Sequence, residues 1–291
     1  MKRIVAVLAA LLVPMVVAPA AHAAHPGANG DIVFARDGDP WLLDPGTGDI
    51  TRLGRTRARE GLLDWNADGT KLAYTRCTGG QFGNCDIWVM DADGSNRTRL
   101  TTTSLAQETW PSWSPDGLQI AFTSNEVDAF QDVWVMDANG ANPTRLTVNN
   151  EVFDAFPEWS PDGTQIAYTS DSLDVDDIWV MDADGQNATR LTTGTKVDER
   201  PDWSPDGLQL VFSRNGKDIW RVDADGSNLL QLTDNRKLET APAYSPNGKR
   251  IVYMRVSRGG RFGVWTMLAD GTRPTRRTTG VFDSFPDWQP S

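Results

Sequence analysis

Histidine is almost missing from this chain of 291 residues: there are two, His22 and His25, both near the N-terminus. Neither a Ser-His-Asp triad nor a histidine-rich metal site can be assembled from them. Gly-x-Ser-x-Gly is absent, as is a Gly-rich phosphate loop leading into a helix. Positive charge is in deficit, with 28 Lys and Arg against 39 Asp and Glu and a formal net charge of −11. That balance argues against nucleic acid, which selects basic surfaces. Beyond the first residues no segment approaches the roughly 18 apolar residues of a membrane span. Helical periodicity is lacking too: apolar segments such as Ile120-Ala121-Phe122 and Val133-Trp134-Val135-Met136 are short and β-rich, and Gly or Pro punctuates the gaps.

What is present begins with a leader. Met1-Lys2-Arg3 is basic, an apolar run from Ile4 to Val17 holds Pro14, and Ala21-His22-Ala23 supplies the small-x-small pattern of a signal-peptidase site. The sequence predicts a signal peptide over 1–23, an exported chain in the periplasm or outside the cell, and one domain over 24–291. Loss of Lys2 and Arg3 with the leader takes the net charge to −13. No Cys lies near the cleavage point to carry a lipid anchor. Cys77 and Cys85, the only cysteines, share one short segment of this exported chain and are expected to form a disulfide.

The rest of the chain is a repeat. Trp159-Ser160-Pro161-Asp162-Gly163 recurs around Trp113, Trp203, Tyr244 and, more loosely, Trp65; Asp177-Ile178-Trp179-Val180-Met181-Asp182 recurs around Trp88, Trp134, Trp220 and Trp265. The marker aromatic advances from 65 to 113, 159, 203, 244 and 288, steps of 48, 46, 44, 41 and 44 residues. Periods in the forties match a four-stranded propeller blade. Consecutive apolar residues in the strands imply burial on both faces, which blades stacked around an axis provide. The N-terminal segments Asp31 to Arg36, Trp41 to Asp44 and Ile50 to Leu53 read as second, third and fourth strands without a first, and Phe285 to Pro290 reads as a first strand with nothing after it. Joined, they complete a sixth blade and close the ring, which removes exposed sheet edges.

These motifs, Pro-x-Trp-Ser-Pro-Asp-Gly followed by Ile-Trp-Val-Met-Asp and Arg-Leu-Thr strands, resemble the repeats of TolB-type, WD40-like β-propellers. The resemblance covers the propeller part alone, and Ala24 to Gly30 is expected to hold no counterpart of the N-terminal domain of TolB. It implies an all-β, six-bladed propeller of four-stranded antiparallel blades.

Candidate sites follow from the repeat. Three residues before the Pro of each inner strand stands an acid: Glu108, Asp154, Asp198, Glu239 and Asp283, with Glu60 at the matching place before Leu63. A ring of six carboxylates at the channel mouth would suit a hard cation such as Ca²⁺; the alternative is that each accepts hydrogen bonds from backbone amides where the chain enters its blade. A second set, Asp64, Glu158, Asp202 and Asp287, precedes the marker aromatic, close to the channel wall. Asp91-Ala92-Asp93-Gly94 and its copies read as hairpin turns. The repeated tryptophans read as core.

Strand direction puts both tight turns of a blade on one rim and the variable connections on the other, where binding is expected. Trp110, Phe130, Phe153 and Phe282 fall outside the repeated offsets near that variable rim. The rim is electrically divided: Glu126, Asp128, Asp132, Glu151, Asp171, Asp174, Asp176 and Asp177 crowd one side, and Lys217, Arg236, Lys237, Arg258 and Arg261 mark the other. The expected function is a non-enzymatic, monomeric scaffold that binds a protein or other envelope macromolecule, with Trp110, Phe130, Phe153, Phe282, Asp174, Asp176 and Asp177 as contacts. The alternative is a metal-dependent propeller enzyme acting on a small or polysaccharide substrate through an acidic channel site.

Overall fold

The computed structural model describes residues 29–79, 83–103, 106–127, 130–148, 152–171, 175–257 and 259–290. The expected leader and its expected cleavage site lie outside them, as do Asp128, Glu151, Asp174 and Arg258. In chain order the strands are β1 (Asn29–Arg36), β2 (Asp39–Leu43) and β3 (Ile50–Arg52); β4 (Arg59–Trp65), β5 (Lys71–Cys77), β6 (Cys85–Asp91) and β7 (Thr98–Arg99); β8 (Glu108–Trp113), β9 (Gln119–Ser124), β10 (Asp132–Asp137) and β11 (Thr144–Arg145). They continue with β12 (Asp154–Trp159), β13 (Gln165–Ser170), β14 (Asp177–Asp182) and β15 (Thr189–Arg190); β16 (Asp198–Trp203), β17 (Gln209–Arg214), β18 (Asp218–Asp223) and β19 (Leu230–Gln231); β20 (Leu238–Tyr244), β21 (Arg250–Ser257), β22 (Arg261–Leu268), β23 (Thr275–Arg276) and the closing β24 (Asp283–Pro290). They form six four-stranded sheets, one of which is β24-β1-β2-β3. The composite blade, here the first, is therefore built from both ends of the described chain, and no helix among the described residues is long and apolar enough to cross a membrane.

The turns explain why strands stop where they do. In Ser114-Pro115-Asp116-Gly117 the Asp116 carboxylate accepts the Ser114 hydroxyl at 2.7 Å and the Leu118 amide at 3.0 Å, while Gly117 takes φ +68°. Only glycine adopts that conformation without a steric cost. Asp91-Ala92-Asp93-Gly94 is a hairpin turn, with Gly94 N–H on the Asp91 carbonyl at 2.8 Å and the Asn96 amide on the Asp91 carboxylate at 2.6 Å.

The core lies between blades. Ala73 and Ile87 of the second blade pack with Trp113, Ile120, Phe122, Trp134 and Met136 of the third, and the pattern repeats around the ring. Both faces of each sheet are thus covered, as the unalternating apolar strands require. Trp65, Trp113, Trp159, Trp203 and Trp288 are each no more than 4% exposed. They are core residues.

Cys77 and Cys85 face each other across β5 and β6 and are disulfide-bonded. A loop this short contributes about 2–3 kcal/mol through the unfolded state. The double substitution Cys77→Ser, Cys85→Ser is expected to lower stability by that amount in denaturant melts, and the unsubstituted protein to show no reactive thiol. Two titratable thiols in the native protein would overturn the assignment.

Candidate functional site

Each inner strand is broken by a β-bulge at one equivalent position. Opposite β9, the register passes from Thr109–Thr123 to Ser112–Ala121, so Trp110 and Pro111 together occupy one place. The extra residue is Leu62, Trp110, Phe156, Arg200, Ala241 or Phe285, and all six have φ between 49° and 59°. Left-handed backbone is unfavourable for such residues, by about 1–3 kcal/mol each, and five of them precede proline, which disfavours it further. Part of that cost is offset by anchors in the neighbouring blade: the amides of Trp110, Phe156, Arg200 and Ala241 donate to the hydroxyls of Thr75, Thr123, Thr169 and Ser213 at 3.0–3.3 Å.

The bulges turn these side chains into the channel mouth as a collar. Trp110 meets Phe156 edge-on at 4.6 Å and Phe285 at 5.1 Å between ring centroids. The Arg200 guanidinium lies over all three rings, at 5.2 Å from Trp110, 4.9 Å from Phe156 and 5.7 Å from Phe285. Its polar contacts among the described residues are sparse: one donor reaches the Thr240 hydroxyl at 3.1 Å, the Glu199 carboxylate stands 4.0 Å away, and the buried Nε has no acceptor. Burial lowers its pKa. The collar residues line a cavity of about 120 Å³.

Asp64, Glu158, Asp202 and Asp287 line the same cavity. They also link blades, since Asp64 accepts the Trp113 amide at 2.6 Å, Asp202 the Tyr244 amide at 2.6 Å and Asp287 the Trp65 amide at 3.4 Å. At the matching place Ser112 accepts the Trp159 amide at 3.3 Å. Burial raises the pKa of all four acids, and mutual repulsion adds to it for Asp64, Glu158 and Asp202. For Asp287 burial carries it to about 7.

The first set of acids, expected to ring the mouth, is placed differently. Asp198 forms a bidentate pair with Arg214 at 2.6 and 2.7 Å, and Asp283 pairs with Arg36 at 2.5 and 2.9 Å. Glu239 binds Arg255, and Glu60 binds Arg97 at 2.6 Å. Glu108 accepts the Thr103 hydroxyl at 2.5 Å, and Asp154 sits opposite Ser170 in the ladder. Four of these acids face an arginine on their blade's second strand, and Arg36, Arg76, Arg214 and Arg255 each stack on the third-strand tryptophan of that blade at 3.9–5.2 Å. None of the six borders the channel cavity; Glu60, Asp198 and Glu239 are met by side chains, and Asp283 also accepts the Gly280 amide at 3.1 Å. The bulge is the physical reason: its extra residue breaks the alternation that would have aimed acid and collar residue the same way. Among the described residues no group of three or more His, Cys, Asp or Glu is arranged to hold a metal ion.

Of the expected contact residues, Trp110 joins the collar and Phe153 meets Phe156 edge-on at 6.1 Å. Phe130 and Phe282 are 38% and 48% exposed on the rim, Phe282 against Phe262 at 5.9 Å. Asp177 is engaged by Arg190, while Asp176 is half-buried with its pKa raised by burial and then by Glu199, Asp171 and Asp177. Phe156, Arg200 and Phe285 were missed. The available signal was the residue directly before the repeated Pro, which varies as Trp, Phe, Arg, Ala and Phe between neighbours that hardly change.

The fold and repeats are those of a TolB-type β-propeller. A family model of the TolB beta propeller domain matches residues 149–291, and one of the tricorn protease N-terminal beta propeller domain matches residues 83–176. No curated protein sequence matches the chain. Among solved structures, TolB from Acinetobacter baumannii is similar at TM-score 0.75 and 22% identity, covering 90% of this chain and 67% of that one. A putative TolB from Agrobacterium tumefaciens is similar at 0.71 and 24%, covering 90% and 91%. An oligogalacturonate lyase in complex with manganese is similar at 0.56 and 14%, covering 87% and 74%. Identities this low establish the shared fold alone.

Proposed function

We propose that the protein is an exported, non-enzymatic binding protein that seats a segment of another envelope protein on the channel mouth. The observation that carries this reading is the collar, in which Trp110, Phe156 and Phe285 surround an Arg200 guanidinium whose nearest carboxylate among the described residues, that of Glu199, stands 4.0 Å away. Aromatic and arginine side chains around a recess are the composition of interface hot spots. A partner carboxylate or carbonyl would satisfy donors that the chain itself leaves open. The sequence supports export through its leader, and the acidic balance speaks against a nucleic-acid partner.

Affinity capture from the envelope and medium of the producing organism tests this, comparing the natural chain with Trp110→Ala and Phe285→Ala variants. A protein retained by the natural chain and lost by about tenfold or more in the variants is expected, since hot-spot truncations cost about 2 kcal/mol or more. Equal recovery by all three, or turnover of a screened polysaccharide with no partner, would favour the enzyme instead.

A further inference from the structure

One of the six junctions between blades is built differently from the others. At five junctions the leucine that directly follows the outer strand, Leu53, Leu100, Leu146, Leu191 or Leu232, lies against the Ala-Asp-Gly or Ala-Asn-Gly turn of the next blade. The fit is close: a Cβ added to Gly94, Gly140, Gly185, Gly226 or Gly271 would stand 2.0–3.2 Å from that leucine's carbonyl oxygen. Where the sixth blade meets the composite first blade, the leucine position holds Arg277, and the facing turn is Asp44-Pro45-Gly46-Thr47-Gly48. A Cβ on Gly48 would meet nothing within 4 Å.

A second departure lies beside the first. In the second to fifth blades the residue that opens the second strand faces an acid at the end of the third, as Lys71 faces Asp91 and Gln119, Gln165 and Gln209 face Asp137, Asp182 and Asp223. In the sixth blade that residue is Arg250 and its counterpart is Leu268. Arg250 has therefore gained charge and lost the acid. Among the described residues its side chain makes no hydrogen bond or ion pair, and Arg277 reaches only the Thr266 hydroxyl at 2.8 Å and the Pro45 carbonyl at 3.4 Å.

The loosened junction opens into a cavity of about 410 Å³, within the size range of small-ligand sites. Arg250 and Arg277 border it together with Asp31 and Asp44, and Trp288, whose buried indole N–H has no acceptor among the described residues, forms part of its wall. The charges are not mutually neutralised. Burial and then Arg250 lower the pKa of Arg277, and burial and then Asp44 raise that of Asp31. Asp44 accepts the Gly46 and Thr47 amides of its own turn with one oxygen, at 2.7 and 3.1 Å, and among the described residues no ion pair joins the two acids to the two arginines.

We propose that this junction binds a small zwitterion, an amino acid or short peptide, with its carboxylate on Arg250 and Arg277 and its ammonium on Asp31 and Asp44. Each end of such a ligand relieves one of the two like-charge repulsions, and charge-assisted hydrogen bonds to guanidinium are the strong ones. The site lies on the tight-turn rim, opposite the collar, and is independent of the function proposed there.

The test is thermal melting and calorimetric titration of the whole protein with glycine, diglycine and triglycine, beside acetate and ethylammonium at matched ionic strength. At least one of the zwitterions is expected to raise the melting temperature by several degrees at millimolar concentration, because a ligand that binds only the folded state stabilises it; the singly charged probes are expected to do so far less. The double variant Arg250→Gln, Arg277→Leu restores the residues that other blades carry, so it should fold at least as well while losing about tenfold or more in affinity. No response to any zwitterion, an equal response to acetate, or full binding by the double variant would overturn the proposal.

Discussion

Deleting the residues after Ser284 is expected to abolish cooperative folding, or to lower the melting temperature by tens of degrees. The segment completes β24, which pairs along β1 from Asn29 with Pro290 to Arg36 with Asp283 and closes the first blade. Its Trp288, 3% exposed, packs among Ile32, Phe34, Leu43, Val252 and Val264 at the junction with the sixth blade. Loss of one such indole alone costs about 3–5 kcal/mol, and the truncation also leaves β1 as an open edge and removes the Asp287 carboxylate from the Trp65 amide. The total stability of a domain is only about 5–15 kcal/mol. Melting within a few degrees of the full chain would refute this closure.

Stability is expected to fall as pH rises from 5 to 8.5. Asp287 holds its proton to about pH 7 in the folded chain and to 3.8 in the unfolded chain, because burial disfavours its charge. Such a group contributes stability that is fully present below the unfolded value and is lost as pH rises through the folded one. For Asp287 alone the whole difference between pH 3.8 and about 7 is on the order of 4 kcal/mol at 1.36 kcal/mol per pH unit, of which roughly 3 kcal/mol falls above pH 5. Asp64, Glu158 and Asp202, raised in the same direction by burial and by neighbouring acids, add to it. Asp287→Asn can still accept the Trp65 amide but does not ionise. It is therefore expected to be the more stable protein at pH 8.5 and to show a flatter pH profile. A natural chain whose melting temperature rises across this window, or an unchanged profile in the variant, would rule out a channel of buried carboxylic acids.

The site was less legible than the fold. The residue before each proline varies visibly, but nothing in the sequence says that it adopts a left-handed bulge, and ordinary alternation would have aimed its neighbour, the acid two places earlier, into the channel. The arginines that neutralise Glu60, Asp198, Glu239 and Asp283 lie sixteen or more residues away or at the other end of the chain, as Arg36 does for Asp283. Only a folded blade brings them together. The second set of acids was recognisable by its offset from the marker aromatic, and its place near the channel wall follows from inner-strand geometry, yet its burial and raised pKa depend on four blades converging.

From residue types and spacing alone came the blade count, the four strands per blade, the tight turns and the closing role of the last strand. Each of these rests on local chemistry repeated every forty-odd residues: Ser-Pro-Asp-Gly and Asp-x-Asp-Gly make turns wherever they occur, and paired apolar faces demand stacked sheets. Tertiary structure alone decided which carboxylates are neutralised by arginine and which share the channel, which aromatics meet across the axis around Arg200, and that one junction is loose. Those outcomes depend on distances between residues on different blades, which a period along the chain does not encode.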